Sequence, residues 1–322
     1  MRVVSLLPSA SEIVCALGPR ARAFLVGRSH ECDFPPDLAC LPSLTQAAIT
    51  PGLDPSAIDA AVREASDSHR SLYRLNAELL TTLRPDLILT QDLCHVCSID
   101  LEAVRAVARR LAPSPRVLSL NPASVEGVLD DVLAVGEALG LAPEALALVT
   151  RLRERLFAAA DFVNPYADGP SVAVLEWTDP LFVAGHWTPQ LVERAGARHP
   201  LNPTSPRPRT GLAVGPQQGE RLAGPSRTIT PDDLIASNPE VIVICPCGLS
   251  LADALRAADH LARQPWWPSL PAVRAGRVAV VDGNQMLSRP GPRLVDAFEW
   301  LVGWLHDRPE IIPPGFPWRP MP

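Results

Sequence analysis

Short apolar runs of the β type alternate with stretches of helical spacing along most of the chain. We predict strands over 2–6, 24–27, 86–90, 116–120, 172–177, 241–245 and 277–281. Between them apolar residues recur every three or four positions, as in amphipathic helices, over 54–67, 74–83, 100–111, 124–139, 189–195, 231–237, 250–263 and 292–306. This alternation is typical of parallel sheets covered by helices, so the predicted fold class is α/β.

One further helix, from Pro143 to about Phe162, has no strand close on either side. It predicts two βα lobes, each a parallel-sheet sandwich, joined by one long helix. The predicted divisions are an N-terminal lobe (1–140), a connecting helix (141–164), a C-terminal lobe (165–308) and a Pro-rich tail on the surface (309–322). Ligands bind at the carboxyl ends of parallel strands, so we expect a ligand cleft between the lobes.

Composition and charge argue against a nucleic-acid-binding protein and against a membrane protein. The 322 residues are 47% apolar and 20% charged, with a net charge of −6, which describes a soluble globular protein. The charges are mixed, which argues against a nucleic-acid partner. No apolar run approaches the ~20 residues that would insert in a membrane. Met1-Arg2 leads straight into an apolar strand without the features of a signal peptide, so we expect a cytoplasmic protein.

Five of the seven cysteines follow predicted strands, namely Cys32, Cys94, Cys97, Cys245 and Cys247. In a reducing compartment such residues are thiols or metal ligands. Cys94-x-x-Cys97 supplies half of a four-ligand site, and Cys245-Pro246-Cys247 could supply the other half, for zinc or an iron–sulfur cluster. The alternative, that these cysteines pack as small apolar side chains, has about equal weight.

Catalysis has little support in the sequence. No Ser-His-Asp order, Walker loop, GxGxxG or HExxH motif occurs. Without an activated nucleophile or an obvious acid–base pair, we expect a protein that is not an enzyme.

Motifs across nearly the whole chain resemble a known family. They are Ser5-Leu6-x-Pro8 with Glu12, Gly27-x-Ser29 before Asp33-x-Pro35-Pro36, Arg84-Pro85-Asp86-Leu87-Ile88, Pro180-Leu181-Phe182 with Gly185, Pro231-x-x-Leu234-x-x-x-Asn238-Pro239, and Ser288-Arg289-Pro290-Gly291-Pro292-Arg293. In this order they resemble the helical-spine (class III) periplasmic solute-binding proteins, which serve importers of cobalamin, siderophores, haem and metals. The pattern is most similar to the cobalamin-binding member, in a version without a signal peptide.

The resemblance implies a non-catalytic protein that holds cobalamin, or a related metal chelate, in the cleft. It implies a small-molecule ligand and, as a partner, the permease of an ABC importer. Cobalamin binders tend to place aromatic side chains against the corrin, and this chain has Glu31 and Gln91 in the corresponding loops. The alternative function is a cytoplasmic metal or iron–sulfur protein that uses the cleft cysteines.

His30 is the candidate that could reach the metal of such a ligand. Neutral imidazole is a common metal donor, so His30 could be an axial ligand to cobalt or haem iron, with Cys32 nearby. Alternatively, His30 only satisfies polar groups of its own loop. The remaining ligand-binding candidates offer flat apolar or polar contacts, and they are Phe182, His186, Trp187, Gln285 and Arg289.

Overall fold

The computed structural model describes residues 1–48, 55–67, 72–92, 100–207 and 220–321. These residues form two compact units. Unit 1 contains Met1–Pro122 and Gly127–Arg151, and unit 2 contains Ala123–Glu126 and Leu152–Pro322. Within these ranges no helix has both the length and the apolar character that crossing a membrane requires.

Unit 1 is built on a parallel sheet of strand order β2-β1-β5-β6. Its strands are β1 (Val3–Ser5), β2 (Leu25–Arg28), β3 (Thr45–Ala47), β4 (Tyr73–Leu75), β5 (Leu87–Thr90) and β6 (Arg116–Ser119). Its helices are α1 (Pro8–Ala16), α2 (Pro19–Arg22), α3 (Pro55–Asp67), α4 (Ala77–Leu83) and α5 (Leu101–Ala108), with a 3-10 turn at Pro36–Cys40, and it also contains α6 (Val125–Ala138) from Gly127 onward.

The core of unit 1 explains why β5 is an unbroken apolar run. Every residue of β5 is buried, because Ile88 packs with Leu80 of α4 and Val104 of α5 in one cluster. A strand buried on both faces carries few polar residues. The strands of the parallel sheet confirm the sequence prediction, whereas the predicted helix over 74–83 begins late, at Ala77, because Tyr73–Leu75 pairs antiparallel with β3.

Unit 2 has a six-stranded sheet of order β11-β8-β7-β12-β13-β14. Its strands are β7 (Val172–Thr178), β8 (Leu181–Val183), β9 (Ser205–Pro206), β10 (Arg221–Leu222), β11 (Arg227–Thr228), β12 (Val241–Ile244), β13 (Val278–Val281) and β14 (Trp318–Met321). Its helices are α8 (Thr188–Arg194), α9 (Pro231–Ala236), α10 (Leu251–Ala262), α11 (Pro271–Arg274) and α12 (Leu294–Leu305), with 3-10 turns at Trp267–Ser269, Met286–Ser288 and Pro309–Ile311.

The parallel core predicted for this lobe is confirmed at the centre of the unit 2 sheet, and antiparallel strands that the sequence pattern did not predict extend it at both edges. The strands β7, β12 and β13 are parallel, whereas β8, β11 and β14 are antiparallel to their neighbours. The connection from β7 to β8 is only Asp179-Pro180, and so short a link joins antiparallel strands.

The predicted long helix is α7 (Ala142–Ala160), whose residues divide between the units after Arg151. Its second half is tied to α12 by Arg155. The Nε of Arg155 donates to Glu299 Oε1 at 2.8 Å, and its Nη2 donates to Asp296. These charge-assisted hydrogen bonds from Arg155 to two carboxylates of α12 hold the end of α7 within unit 2.

The Pro-rich tail completes the unit 2 sheet, which corrects the expectation of a surface extension. Its strand β14 pairs along β13, and Phe316 stacks on the fully buried Trp300 with ring centroids 5.1 Å apart. Trp318 meets the same indole edge-on at 5.6 Å. The tail therefore covers both a sheet edge and a large aromatic surface that would otherwise meet water.

We predict that Phe316→Ala lowers the free energy of unfolding of unit 2 by about 3 kcal/mol, because it leaves a cavity beside Trp300. The matched control is Phe157→Ala on α7, where the side chain is 69% exposed against 7% at Phe316. We expect the control to change stability by less than about 0.5 kcal/mol. Urea denaturation followed by tryptophan fluorescence measures both, and equal effects would show that the tail is not part of the core.

Candidate functional site

In unit 1, the loop after β2 is organised by the hydroxyl of Thr45. Thr45 is 2% exposed and lies on β3. Its Oγ1 accepts the backbone N–H of His30 at 3.0 Å and lies 2.9 Å from Ser29 Oγ and 2.7 Å from His30 Nδ1. One side chain therefore fixes both the backbone and the ring of His30.

A second set of contacts holds the outer part of this loop. The rings of His30 and Tyr73 lie 5.4 Å apart, and the Tyr73 hydroxyl donates to Glu31 Oε1 at 2.8 Å. Burial lowers the pKa of His30, the Glu31 carboxylate opposes this shift, and the positive charge of Arg28 reinforces it. The imidazole is accordingly neutral at neutral pH, the form that binds metals.

The direction of the hydroxyl hydrogen bonds is coupled to the tautomer of the His30 imidazole. Thr45 Oγ1 has two lone pairs and one proton, and the N–H of His30 uses one lone pair. If the Thr45 hydroxyl donates to Ser29, then His30 Nδ1–H donates to Thr45 and Nε2 keeps its lone pair. Within the described part of the chain Nε2 has no hydrogen-bond partner, so in this arrangement it is available to a metal.

The other unit 1 candidates are placed differently. Cys32 is 1% exposed, and its Sγ accepts a hydrogen bond from the Ser11 hydroxyl of α1 at 3.0 Å, so this thiol lies in the interior. Gln91 follows β5 directly and is half-buried. Cys94 and Cys97 lie outside the described residues. The ligand roles assigned to all four stay predictions.

In unit 2, strand β7 has a bulge at Glu176. Leu175 pairs with Val183 and Trp177 with Phe182, so Glu176 has no opposite residue on β8. The Ser226 hydroxyl and the Gly185 N–H both donate to its carboxyl group. Burial nevertheless raises the pKa of Glu176 to about 7, because desolvation outweighs both hydrogen bonds. Phe182, a predicted ligand contact, is half-buried beside Trp177.

The predicted aromatic contacts His186 and Trp187 form the turn between β8 and α8. Trp187 Nε1 donates to Leu287 O at 2.8 Å, which leaves the indole 8% exposed. The two rings stack with centroids 5.7 Å apart. Burial lowers the pKa of His186, so this imidazole is also neutral at neutral pH.

Gln285 and Arg289 lie in the segment after β13, where hydrogen bonds hold both. Arg289 is 5% exposed and donates to Asn284 Oδ1 at 3.2 Å, and Gln285 Oε1 accepts from Arg293 at 2.7 Å. The backbone is fixed by Asp282, which accepts the N–H of Asn284 at 2.9 Å. The structure brings these polar side chains together, and their contact with a ligand stays a prediction.

Cys245 and Cys247 differ in environment. Cys245 is 1% exposed, its Sγ lies 3.7 Å from Asp282 O, and burial raises the pKa of its thiol well above the usual value. Cys247 is exposed. The described ranges contain no group of three or more His, Cys, Asp or Glu side chains that could hold a metal ion. The four-cysteine site therefore gains no support from this part of the chain.

Sequence reasoning missed Thr45, Tyr73 and Glu176. Only Glu176 left a signal, since it is an acid at the end of the apolar run VAVLEW. An acid in such a position is costly to bury and therefore indicates a specific role. Thr45 and Tyr73 belong to a short antiparallel pair that the sequence pattern does not reveal.

Comparison with known proteins gives a family match, a similar curated relative and similar solved structures. The family model described as "Periplasmic binding protein" matches residues 3–284. The chain is 24% identical over 315 residues to the cobalamin-binding protein of Halobacterium salinarum, covering 95% of this chain and 69% of that one.

Two solved structures resemble the whole chain. A periplasmic heme-binding protein from Pseudomonas aeruginosa is 25% identical with a TM-score of 0.65, covering 95% of this chain and 92% of that one. The periplasmic vitamin B12-binding protein of Vibrio cholerae has a TM-score of 0.62 at 18% identity, covering 96% and 98%. The α/β fold predicted from the sequence is thereby confirmed.

We predict that Thr45→Val destabilises unit 1 by about 2 kcal/mol, because the buried N–H of His30 loses its acceptor while side-chain shape is kept. Thr81→Val on α4 is the control, since its hydroxyl donates to Ala77 O at an exposed position. That variant is expected to stay within about 0.5 kcal/mol of the parent. Thermal and urea unfolding compare the two, and an equally small loss in both would refute the role of Thr45.

Proposed function

Because the chain belongs to the periplasmic binding protein family, we propose that it is a non-catalytic protein that binds cobalamin or a related metal chelate. The family provides substrate-binding components of ABC transporters. The proposal requires a small-molecule ligand, and the permease of an ABC importer as partner stays a prediction.

The observation that carries the proposal is the fixed, neutral imidazole of His30. Thr45 holds the ring at Nδ1, and burial keeps it uncharged. In the tautomer in which Nδ1–H donates to Thr45, Nε2 offers its lone pair to a metal. Cobalt(III) in a corrinoid and iron in haem both accept an axial imidazole. The ring is oriented before any ligand arrives, which lowers the entropic cost of binding.

Unit 2 offers the apolar contacts that a flat macrocycle requires. Phe182 is half-buried at the sheet edge, and His186 stacks on Trp187. Aromatic side chains provide large contact areas with little loss of conformational entropy. Glu31, Gln91, Gln285 and Arg289 are the polar groups proposed to meet the amide side chains of the ligand.

Cobalamin is the first choice because the relative from Halobacterium salinarum, similar over 95% of this chain, is a cobalamin-binding protein. Haem is the second choice, on account of the similarity to the heme-binding protein from Pseudomonas aeruginosa. The zinc or iron–sulfur alternative is not favoured by the comparisons, since the relatives are described as binding cobalamin or heme.

We predict that aquocobalamin binds roughly tenfold or more tightly than cyanocobalamin, a difference of about 1.4 kcal/mol. His30 can replace the exchangeable axial water of aquocobalamin but not the tightly held cyanide. Calorimetric titration measures both affinities, and a shift in the visible spectrum of aquocobalamin on binding reports the new axial ligand.

Two histidine variants make the test specific. His30→Ala is expected to remove both the preference for aquocobalamin and the spectral shift, whereas His260→Ala, at an exposed position on α10, should keep both. If neither cobalamin binds, cobalamin is the wrong ligand. Binding of hemin, with a Soret shift that His30→Ala abolishes, would then support haem.

A further inference from the structure

The bulge in β7 places an acid where the strand pattern would place an apolar residue. Glu176 is the extra residue between the pairs Leu175–Val183 and Trp177–Phe182. A bulge bends its strand and redirects the side chain of the inserted residue. In this case the carboxyl group reaches the N–H of Gly185 and the hydroxyl of Ser226.

These two donors belong to two segments that pack tightly together. We name residues 185–187 the ligand turn and residues 224–226 the strap. A Cβ on Gly185 would lie 2.2 Å from Ser226 N and 2.3 Å from Pro225 C, so only glycine permits this approach. The Glu176 carboxyl group therefore joins the ligand turn to the strap.

The other links between these segments are uncharged. The N–H of His186 donates to Gly224 O at 3.0 Å. The amide of Asn202 bridges the strap to the residue before the ligand turn, since it donates to Pro225 O at 3.1 Å and to Ala184 O at 2.9 Å. Glu176 is thus the ionisable member of a network whose other bonds are amide to carbonyl.

The ligand turn needs such support because its backbone is strained. His186 has a φ of 54°, in the left-handed region that residues with a Cβ avoid. Such conformations persist where the surroundings fix them, and they cluster at ligand-binding sites. The strained residue and the following Trp187 are the proposed aromatic contacts of unit 2.

The titratable and charged groups around Glu176 come from each neighbouring element. Cys245, which follows β12, interacts electrostatically with Glu176, and the N–H of Cys247 donates to Glu176 O at 3.0 Å. His186 is next to Gly185 in the ligand turn, and Arg227 is next to Ser226 of the strap. Burial raises the pKa of Cys245 and lowers that of His186, so both are neutral near pH 7. Glu176, with a pKa raised to about 7 by burial, changes its charge there.

We propose that Glu176 is a positioning residue whose ionised carboxylate holds the ligand turn in its binding conformation and whose protonation loosens that turn and weakens ligand binding. This inference rests on the proposed function. The carboxylate accepts hydrogen bonds from both Gly185 and Ser226, and charge-assisted bonds are about twice as strong as neutral ones. The protonated acid has one acceptor oxygen and must itself donate with the other.

The affinity for the ligand should fall as the pH falls, because less of Glu176 is then ionised. If the ionised form is the competent one, the apparent Kd equals the intrinsic Kd divided by the ionised fraction. For a pKa of about 7, that fraction falls about tenfold between pH 8 and pH 6. Affinity is therefore expected to fall about tenfold on acidification over this range.

The test is a titration with cyanocobalamin at pH 6, 7 and 8. This ligand keeps its cyanide, so coordination by His30 does not contribute to the profile. The parent protein should show the tenfold change, and Glu176→Gln, which keeps a carbonyl acceptor but cannot ionise, should show a flat profile. Glu240→Gln, an exposed acid in unit 2 that accepts the Ser171 N–H, should behave as the parent.

A third variant distinguishes the titration of Glu176 from a purely structural role of this residue. The Ser226 hydroxyl lowers the pKa of Glu176, so Ser226→Ala should move the midpoint of the profile to higher pH. A merely structural role of Glu176 would not produce that shift. A flat profile in the parent, a pH-dependent profile in Glu176→Gln, or an unmoved midpoint in Ser226→Ala would each overturn the proposal.

Hydrogen exchange measured without ligand tests the role of Glu176 independently of the proposed ligand. After correction for intrinsic rates, peptides covering 184–190 and 222–228 should exchange faster at pH 6 than at pH 8 in the parent, and equally at both in Glu176→Gln. If that holds but cyanocobalamin does not bind, the ligand assignment fails and the role of Glu176 in holding the turn stands. If cyanocobalamin binds and neither measurement depends on pH, the proposed role of Glu176 is refuted and the ligand assignment stands.

Discussion

Burial of the central parallel strands on both faces is the constraint from which the chemistry of each unit follows. All residues of β5, β12 and β13 are buried, and a strand covered on both sides has little room for polar groups. Polar and ionisable side chains therefore begin where the strands end, as Cys245 and Asp282 do after β12 and β13. Hydrophobic burial thus determines which loops carry the candidate ligand contacts.

This constraint also explains which features could be predicted from the sequence. Short unbroken apolar runs such as β5 and β12 are typical of strands buried on both faces, and their positions were predicted nearly to the residue. The edge strands follow other rules. Strand β14 exists because Phe316 and Trp318 cover Trp300, a contact between residues far apart in sequence. The Thr45–His30 link likewise depends on how β3 returns beside the loop after β2. Neither arrangement leaves a periodic pattern in the chain.

Cysteines close together at the end of one strand differ in burial, and therefore in the reactivity of their thiols. Cys245 and Cys247 are two residues apart, yet one is buried and the other exposed. Burial favours the neutral thiol at Cys245, which makes that sulfur a poor nucleophile and a poor metal ligand. Cys32 is equally buried, with its sulfur bonded to Ser11. From the sequence, metal binding and apolar packing had equal weight for these cysteines. Burial favours packing for Cys32 and Cys245.

His30 and Glu176, on which the two proposals rest, are each held by a hydroxyl, and desolvation shifts their pKa values in opposite directions. In unit 1 Thr45 holds His30, and in unit 2 Ser226 holds Glu176. Burial lowers the pKa of the imidazole and raises that of the carboxyl group to about 7. Desolvation penalises the charged form in both cases, so above pH 7 His30 stays neutral while Glu176 becomes charged. The proposed metal ligand His30 keeps one protonation state in this range, and the proposed positioning residue Glu176 changes its own. Their contributions to ligand binding can therefore be separated by varying the pH.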